Sequence, residues 1–189
     1  MRRFTVLFFI AVTGIIAGCR NDKAEINDEG DKTSTDTVAD NTVYGRCGVN
    51  TAMHTLEVIT DEGDTVVCTV NVDDTLSAPD VVRGGLFTGD RIAVMIEKDA
   101  DGTDRAVKVI NLTSLIGRWV SLNRSFEIRE GGIVISDMAE PKPYTEWRIF
   151  NGKLLLSTDT FDIYTLGADS LWLENEHGIY EYRRMNDSK

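Results

Sequence analysis

Between about residue 44 and residue 184 the chain is written in short runs of alternating apolar and polar residues, each cut off by a glycine- or aspartate-rich turn. A period of two places successive side chains on opposite faces of an extended strand, so one face is buried and the other wetted. Leu56 and Val58 alternate with Thr55 and Glu57, and Val66, Cys68, Val70 and Val72 oppose Thr65, Thr69 and Asn71. The intervening Asp61-Glu62-Gly63-Asp64 has the polar and glycine chemistry of a short hairpin loop. Such a pattern confines the fold to the all-β class.

Residues 44–113 carry four or five such strands. Val81 and Val82 lead into Arg83-Gly84-Gly85-Leu86-Phe87-Thr88-Gly89-Asp90, and Ile92, Val94 and Ile96 then share one face. Residues 99–104 turn the chain, and Val107 and Val109 point inward on the way back. Paired glycines where a strand bends sharply predict a small closed barrel. The stretch from Gly84 to Val94 resembles the middle of an OB-type barrel, in which a short apolar strand passes through a Gly-Asp turn into a long one. OB-folds commonly bind oligonucleotides or oligosaccharides, but residues 44–113 hold 6 basic against 12 acidic residues and only Tyr44 and Phe87 as aromatics. Stacking platforms for bases need more rings than that.

Residues 114–185 are richer in aromatics. Tyr144-Thr145-Glu146-Trp147-Arg148-Ile149-Phe150 meets Asn151-Gly152 and then Lys153-Leu154-Leu155-Leu156; Asn-Gly suits the two left-handed positions of a type I′ hairpin turn. Gly131-Gly132 separates Phe126–Arg129 from Ile133–Ser136 in the same way, and Gly167-Ala168-Asp169-Ser170 divides two further runs. Seven or eight strands joined by tight turns predict an up-and-down barrel.

Ile116-Gly117-Arg118-Trp119-Val120, the hairpin of residues 144–156, Asp159-Thr160-Phe161-Asp162-Ile163 and residues 166–173 together resemble the lipocalin-like (calycin-like) domain of lipoproteins from Bacteroides-type bacteria. The resemblance implies that Trp119 of the Gly-x-Trp packs across one barrel end under a basic side chain of the last strand, Arg183 or Arg184. It implies a fold and an address, and no particular ligand. Some seventy residues over eight strands make short strands, so the interior is expected to fill with its own side chains, whereas ligand-holding barrels need room.

The start of the chain carries an address of its own. Met1-Arg2-Arg3 and the apolar run over residues 4–16 have the layout of a secretory signal. The run would cover roughly 20 Å as a helix against a hydrocarbon core of about 30 Å. It ends on Ile16-Ala17-Gly18-Cys19, which resembles the lipobox of bacterial lipoproteins. Residues 1–18 are therefore read as a lipoprotein signal peptide, Cys19 as the lipidated (palmitate-type acyl) N-terminus, residues 19–43 as a disordered tether and residues 186–189 as a tail. Arg20, where the enteric sorting rule would use aspartate for inner-membrane retention, points to the outer membrane, on its periplasmic or surface face. The tether, rich in Asp, Glu, Asn, Lys, Thr and Ser, has too little apolar surface to offset its chain entropy.

Charge narrows the partners. The chain has 20 basic and 31 acidic residues for a net −11, and loss of Arg2 and Arg3 with the signal leaves 18 against 31, or −13. Nucleic acid binding rests on basic side chains neutralising phosphates, and a field of this sign opposes it.

Two readings stand for Cys47 and Cys68: a disulfide, which an oxidising envelope permits, and buried free thiols, since Cys68 shares its face with Val66 and Val70. Residues 99–104 offer alternating carboxylates, but Gly102 falls fourth and Ile110 twelfth where an EF-hand needs glycine sixth and glutamate twelfth; a hairpin turn is expected, and no metal. With only His54 and His177 and no nucleophile motif beside either, the chain is expected to be no enzyme and to carry no cofactor. Trp119, Trp147, Trp172, Tyr180 and Tyr182, with Tyr144 and Tyr164, are either pocket lining or barrel core. The expected function is a lipid-anchored, non-catalytic binding or structural module. Alternatives are a carrier of a small apolar ligand in the C-terminal barrel and an inhibitor or adaptor of another envelope protein, with glycan as a further partner.

Overall fold

The computed structural model describes residues 38–70, 81–137 and 140–185. The expected signal, Cys19, residues 19–37 of the tether and the tail lie outside the described residues, as do Asn71 and Val72. The chain is all-β and forms two small barrels. Among the described residues no helix is long and apolar enough to cross a membrane.

The first barrel comprises β1 (Thr42–Cys47), β2 (Thr55–Thr60), β3 (Thr65–Thr69), the short β4 (Val82–Arg83), β5 (Arg91–Lys98) and β6 (Asp104–Asn111). Its hydrogen-bonded order is β3-β2-β1-β5-β6, and β3 returns to β6 through the parallel pair Thr69↔Arg105. Three antiparallel strands, a crossover and two more, closing on one parallel contact, is the connectivity of an OB barrel. The β4 strand lies parallel along the other end of β6, Val82 beside Val109. Inside sit Leu56, Val58, Ile92, Val94 and Val109, all fully buried. The turn at residues 99–103 is a hairpin held by its own carboxylates: Asp101 accepts from the amide and hydroxyl of Thr103, and Asp99 accepts from Arg105 Nε at 2.7 Å.

Cys47 and Cys68 are free and buried in this core. Cys47 pairs with Val58 and Cys68 with Leu56, so the cysteines lie on β1 and β3 with β2 between them. Strands spaced about 4.8 Å apart put two-strand neighbours roughly 10 Å apart, beyond the ~7 Å Cα separation a disulfide can span. The disulfide alternative is thereby corrected to buried thiols, and burial pushes Cys68 up to about 11.

The second barrel comprises β7 (Gly117–Val120), β8 (Ser125–Arg129), β9 (Ile133–Ser136), β10 (Trp147–Phe150), β11 (Lys153–Leu156), β12 (Asp159–Leu166), β13 (Ser170–Asn175) and β14 (Gly178–Arg184), all antiparallel in the order β10-β11-β12-β13-β14-β7-β8-β9. The ring closes nearly completely, because Ile133 of β9 bridges to Glu146 and Val134 N donates to Thr145 O at 3.0 Å just ahead of β10. Asn151 and Gly152 adopt φ of 47° and 72°, as the Asn-Gly turn requires.

Between the barrels lies one turn of helix, α1 (Leu112–Leu115), whose Leu112 and Leu115 are buried. It closes one end of the second barrel. Trp119 Nε1 donates to Leu115 O at 2.9 Å, and the Arg184 guanidinium lies 4.2 Å over the Trp119 ring. Arg184 is thus the basic residue of the last strand. It donates to the carbonyls of Ser114, Ile116 and Ala168, which satisfies its partly desolvated charge. Gly117 has φ +142°, and a Cβ there would stand 2.2 Å from Arg184 Nη1. The glycine of Gly-x-Trp is therefore the space into which the arginine fits.

The described residues form one compact unit. Ala93 and Ile110 of the first barrel belong to the same hydrophobic cluster as Trp119, Leu154 and Leu171 of the second. Asn151 also works as a clasp: its amide donates to Thr42 Oγ1 and Asp40 Oδ1, its Nδ2 to Ala39 O, and its Oδ1 accepts from Asn41 N. Residues 38–43, read from composition as the end of the tether, are thereby part of the fold, with β1 starting at Thr42. Asp162 bridges Lys108 of one barrel and Lys153 of the other.

A shared core predicts one cooperative transition for both barrels. Gly117→Ala should cost about 2 kcal/mol or more through the forced displacement of Arg184 and an unfavourable φ. All three tryptophans lie in the second barrel, so tryptophan fluorescence and far-UV circular dichroism should shift to the same lower denaturant midpoint. Separate midpoints would show that the barrels unfold independently.

Candidate functional site

The interior of the second barrel is full. Trp119, Phe126, Ile128, Ile149, Leu154 and Leu171 are at most 1% exposed, at the close packing typical of protein cores. What the barrel offers instead is an open concavity of about 1910 Å³ that starts at the end opposite α1 and spreads over the flank of β12, β13 and β14. The hairpin lengths explain its place. Strands β7 to β11 have four or five residues, whereas β12 to β14 have six to eight and extend past the others.

At the open end, rings of five residues meet edge to face. Phe126 packs on Tyr144 (5.6 Å) and Tyr182 (4.9 Å), and Phe161 packs on Tyr144 (6.4 Å) and Tyr180 (5.8 Å). This is the geometry aromatic quadrupoles favour. Arg124, from the β7–β8 loop, lies 4.4 Å over the Tyr144 ring and 2.8 Å from Glu140 Oε2. Glu140 is 9% exposed in its side chain. Its Oε1 accepts from Ser125 N, while the Oε2 contact is a charge pairing without hydrogen-bond alignment. Arg124 is thus held by one carboxylate and one ring, at the lip of the barrel.

The titration of this end follows from burial. Desolvation pushes the Tyr144 hydroxyl above the ordinary tyrosine range and Tyr182 up to about 12, with nearby Arg124 pulling both back down in part. On the flank, burial raises Asp162, but hydrogen bonds from Lys153 and Lys108 outweigh it, and the carboxyl ends below its ordinary value.

The aromatic residues singled out in the sequence separate into four places. Trp119 and Tyr182 are buried core. Trp147 is partly buried against that core with its Nε1 donating to Arg129 O at 2.7 Å. Tyr180, 37% exposed, stands at the open end. Trp172 faces outward, because Leu171 and Leu173 on either side of it are fully buried; its ring is stacked with that of Tyr164, also outward. Sequence reasoning missed Arg124 and Glu140 at the lip, and Asp159, whose Oδ2 accepts from the Tyr144 hydroxyl at 3.4 Å. They come from loops and a strand end whose contacts span long stretches of chain, and no local pattern marks them.

His54 and His177 are exposed in turns of different barrels and are not brought together. Among the described residues no group of three His, Cys, Asp or Glu side chains could hold a metal ion. Comparison with protein-family models, characterised proteins and solved structures finds no match.

Raised tyrosines make a signed prediction. Below pH 10 Tyr182 is neutral in both states; as pH rises from its ordinary value of 10.0 toward about 12, only the unfolded chain loses the proton. The unfolded state then binds fewer protons and stability falls with pH. Tyr182→Phe keeps the ring and removes the titration, so the loss of stability between pH 8 and pH 11 in urea melts should be smaller than in the parent protein. An equal loss in both proteins would mean that Tyr182 titrates as an exposed phenol.

Proposed function

We propose that this chain is a lipid-anchored lipoprotein of the cell envelope that works without catalysis, as a binding module, using the concavity at the open end and flank of its second barrel. The address rests on the signal layout of residues 1–16 and the lipobox-like Ile16-Ala17-Gly18-Cys19. Two acyl chains give stable anchoring at roughly 0.8 kcal/mol per buried methylene, and the outer membrane is the location that Arg20 favours. The lipocalin-like resemblance fits the eight-stranded meander with Arg184 over Trp119.

The observation that carries the binding reading is the contrast between a filled barrel and a large open concavity beside it. A carrier of a small apolar molecule must enclose it, and ligand pockets of that kind are typically about 300–1,000 Å³ and mostly apolar. Here the apolar volume is occupied by the protein's own leucines, isoleucines and rings. A ligand meets this molecule on its surface.

A second reading, an adaptor for another envelope protein, is favoured by Phe87. Asn111, fully buried, donates to Gly84 O, Gly85 O and Asp90 Oδ2, and that carboxylate accepts from Phe87 N. The braced loop holds the Phe87 ring 76% exposed, and fixed exposed aromatics are frequent anchors of protein interfaces. If this reading holds, Phe87→Ala leaves the melting temperature within about 2 °C and abolishes co-purification of a single envelope protein from the native membrane.

For the main reading, the parent protein should enter the detergent phase on partition and Cys19→Ala should stay in the aqueous phase or remain as precursor. Native mass spectrometry of the mildly extracted protein should give the mass of the acylated chain alone. A retained small apolar molecule would replace the proposal with the carrier reading.

A further inference from the structure

The outer face of β12 and β13 carries a feature that neither the core nor the lip requires. The rings of Tyr164 and Trp172 lie within 8° of parallel with centroids 6.1 Å apart, and Tyr164 is 53% exposed. At that separation the rings are strongly offset, so much of their face area stays uncovered. A bulge between Ile163 and Thr165 places them side by side: the register steps from Ile163↔Leu173 to Thr165↔Trp172. Trp172 also lines the concavity.

Charged side chains stand around these rings on the same flank. Several other acids and bases on this surface do pair: Asp61 with Arg91, Asp104 with Lys98, Asp99 with Arg105, Glu127 with Arg129. Glu181 stands directly opposite Trp172, Arg183 opposite Ser170, and Glu174 lies two residues beyond Trp172 on the same face. All three line the concavity. Among the described residues, none of Glu174, Glu181 and Arg183 forms an ion pair. Glu181 and Arg183 have the same two-residue spacing on one strand as Glu127 and Arg129, which do pair at 2.8 Å.

We propose that the stacked Tyr164–Trp172 pair and the unpaired Glu174, Glu181 and Arg183 around it form a binding site for a neutral oligosaccharide. The proposal rests on the surface-binding reading above and names its ligand class. A pyranose has an apolar face of C–H groups, partly positive, that suits the negative face of an aromatic ring. Its rim carries hydroxyls that both donate and accept, which carboxylates and a guanidinium can satisfy from opposite sides. An anionic polymer would meet a chain of net charge −11 and the two free carboxylates. The concavity, larger than a pocket for one small molecule, leaves room along the strands for several sugar units.

The test is isothermal titration calorimetry on the full mature protein in a detergent without a sugar headgroup, against cellohexaose, maltohexaose, xylohexaose, mannohexaose and chitohexaose. At least one should bind saturably. Trp172→Ala and Tyr164→Ala should each weaken it by about tenfold or more, and Trp172→Phe should retain most of it. His54→Ala, in an exposed turn of the first barrel, should leave it unchanged. Both flank side chains point outward, so unchanged circular dichroism should confirm the fold; if Trp172→Ala unfolds, Tyr164→Ala and Trp172→Phe still decide. No saturable binding of any of the five at millimolar sugar, or binding that survives both alanine substitutions, overturns the proposal. If in that case a protein partner is captured and lost on Arg124→Ala, the surface-binding reading stands and only its ligand class is wrong.

Discussion

The second barrel depends on a single arginine. Its first and last strands meet in only two registered pairs, Arg183↔Val120 and Arg184↔Trp119, a thin seam for a ring of eight strands. Arg184 reinforces it by lying over Trp119 and binding carbonyls of α1, of the residue before β7 and of the β12–β13 turn. A lysine could not reach three divergent acceptors from one planar group. Because burial opposes the charge, the guanidinium stays only where all its acceptors are in place, and this couples the seam to the helix turn that carries the chain out of the first barrel.

That coupling gives the first barrel its role. It caps the closed end of the second through α1, shares a core cluster with it, and receives the β10–β11 turn on residues 39–42. In the first barrel Arg91 pairs with Asp61 and Arg105 with Asp99. What remains free is the far end and the long-stranded flank of the second barrel.

Much of this was legible in the sequence. Alternation and turn chemistry located the strands because a period of two and a left-handed dipeptide are local constraints. Asn151-Gly152 announced its hairpin, but its second role as a clasp depends on acceptors more than a hundred residues away, and no local pattern encodes those. The cysteines show the same limit: alternation put Cys68 indoors, and only the strand order places β2 between it and Cys47. Trp172 is a different case. Its flanking Leu171 and Leu173 already assigned it to the outer face, yet weighing it by hydrophobicity alone grouped it with Trp119.

The outward tryptophan matters because of how the chain uses apolar area. Short strands leave a barrel too narrow to hold both its own side chains and a guest, and here Leu154, Leu156, Ile163, Leu171 and Leu173 take the space. Burying further rings inside would overpack the core. An aromatic pair placed outside therefore adds little to the core that the barrel needs, and it sits beside Glu174, Glu181 and Arg183, which form no ion pair among the described residues. Stacking across neighbouring strands steadies the rings, while their faces and the surrounding carboxylates and guanidinium stay accessible. Arg184 reinforces the closed end and the proposed recognition lies on the flank, so substitutions on the flank are expected to alter binding without loosening the ring that Arg184 closes.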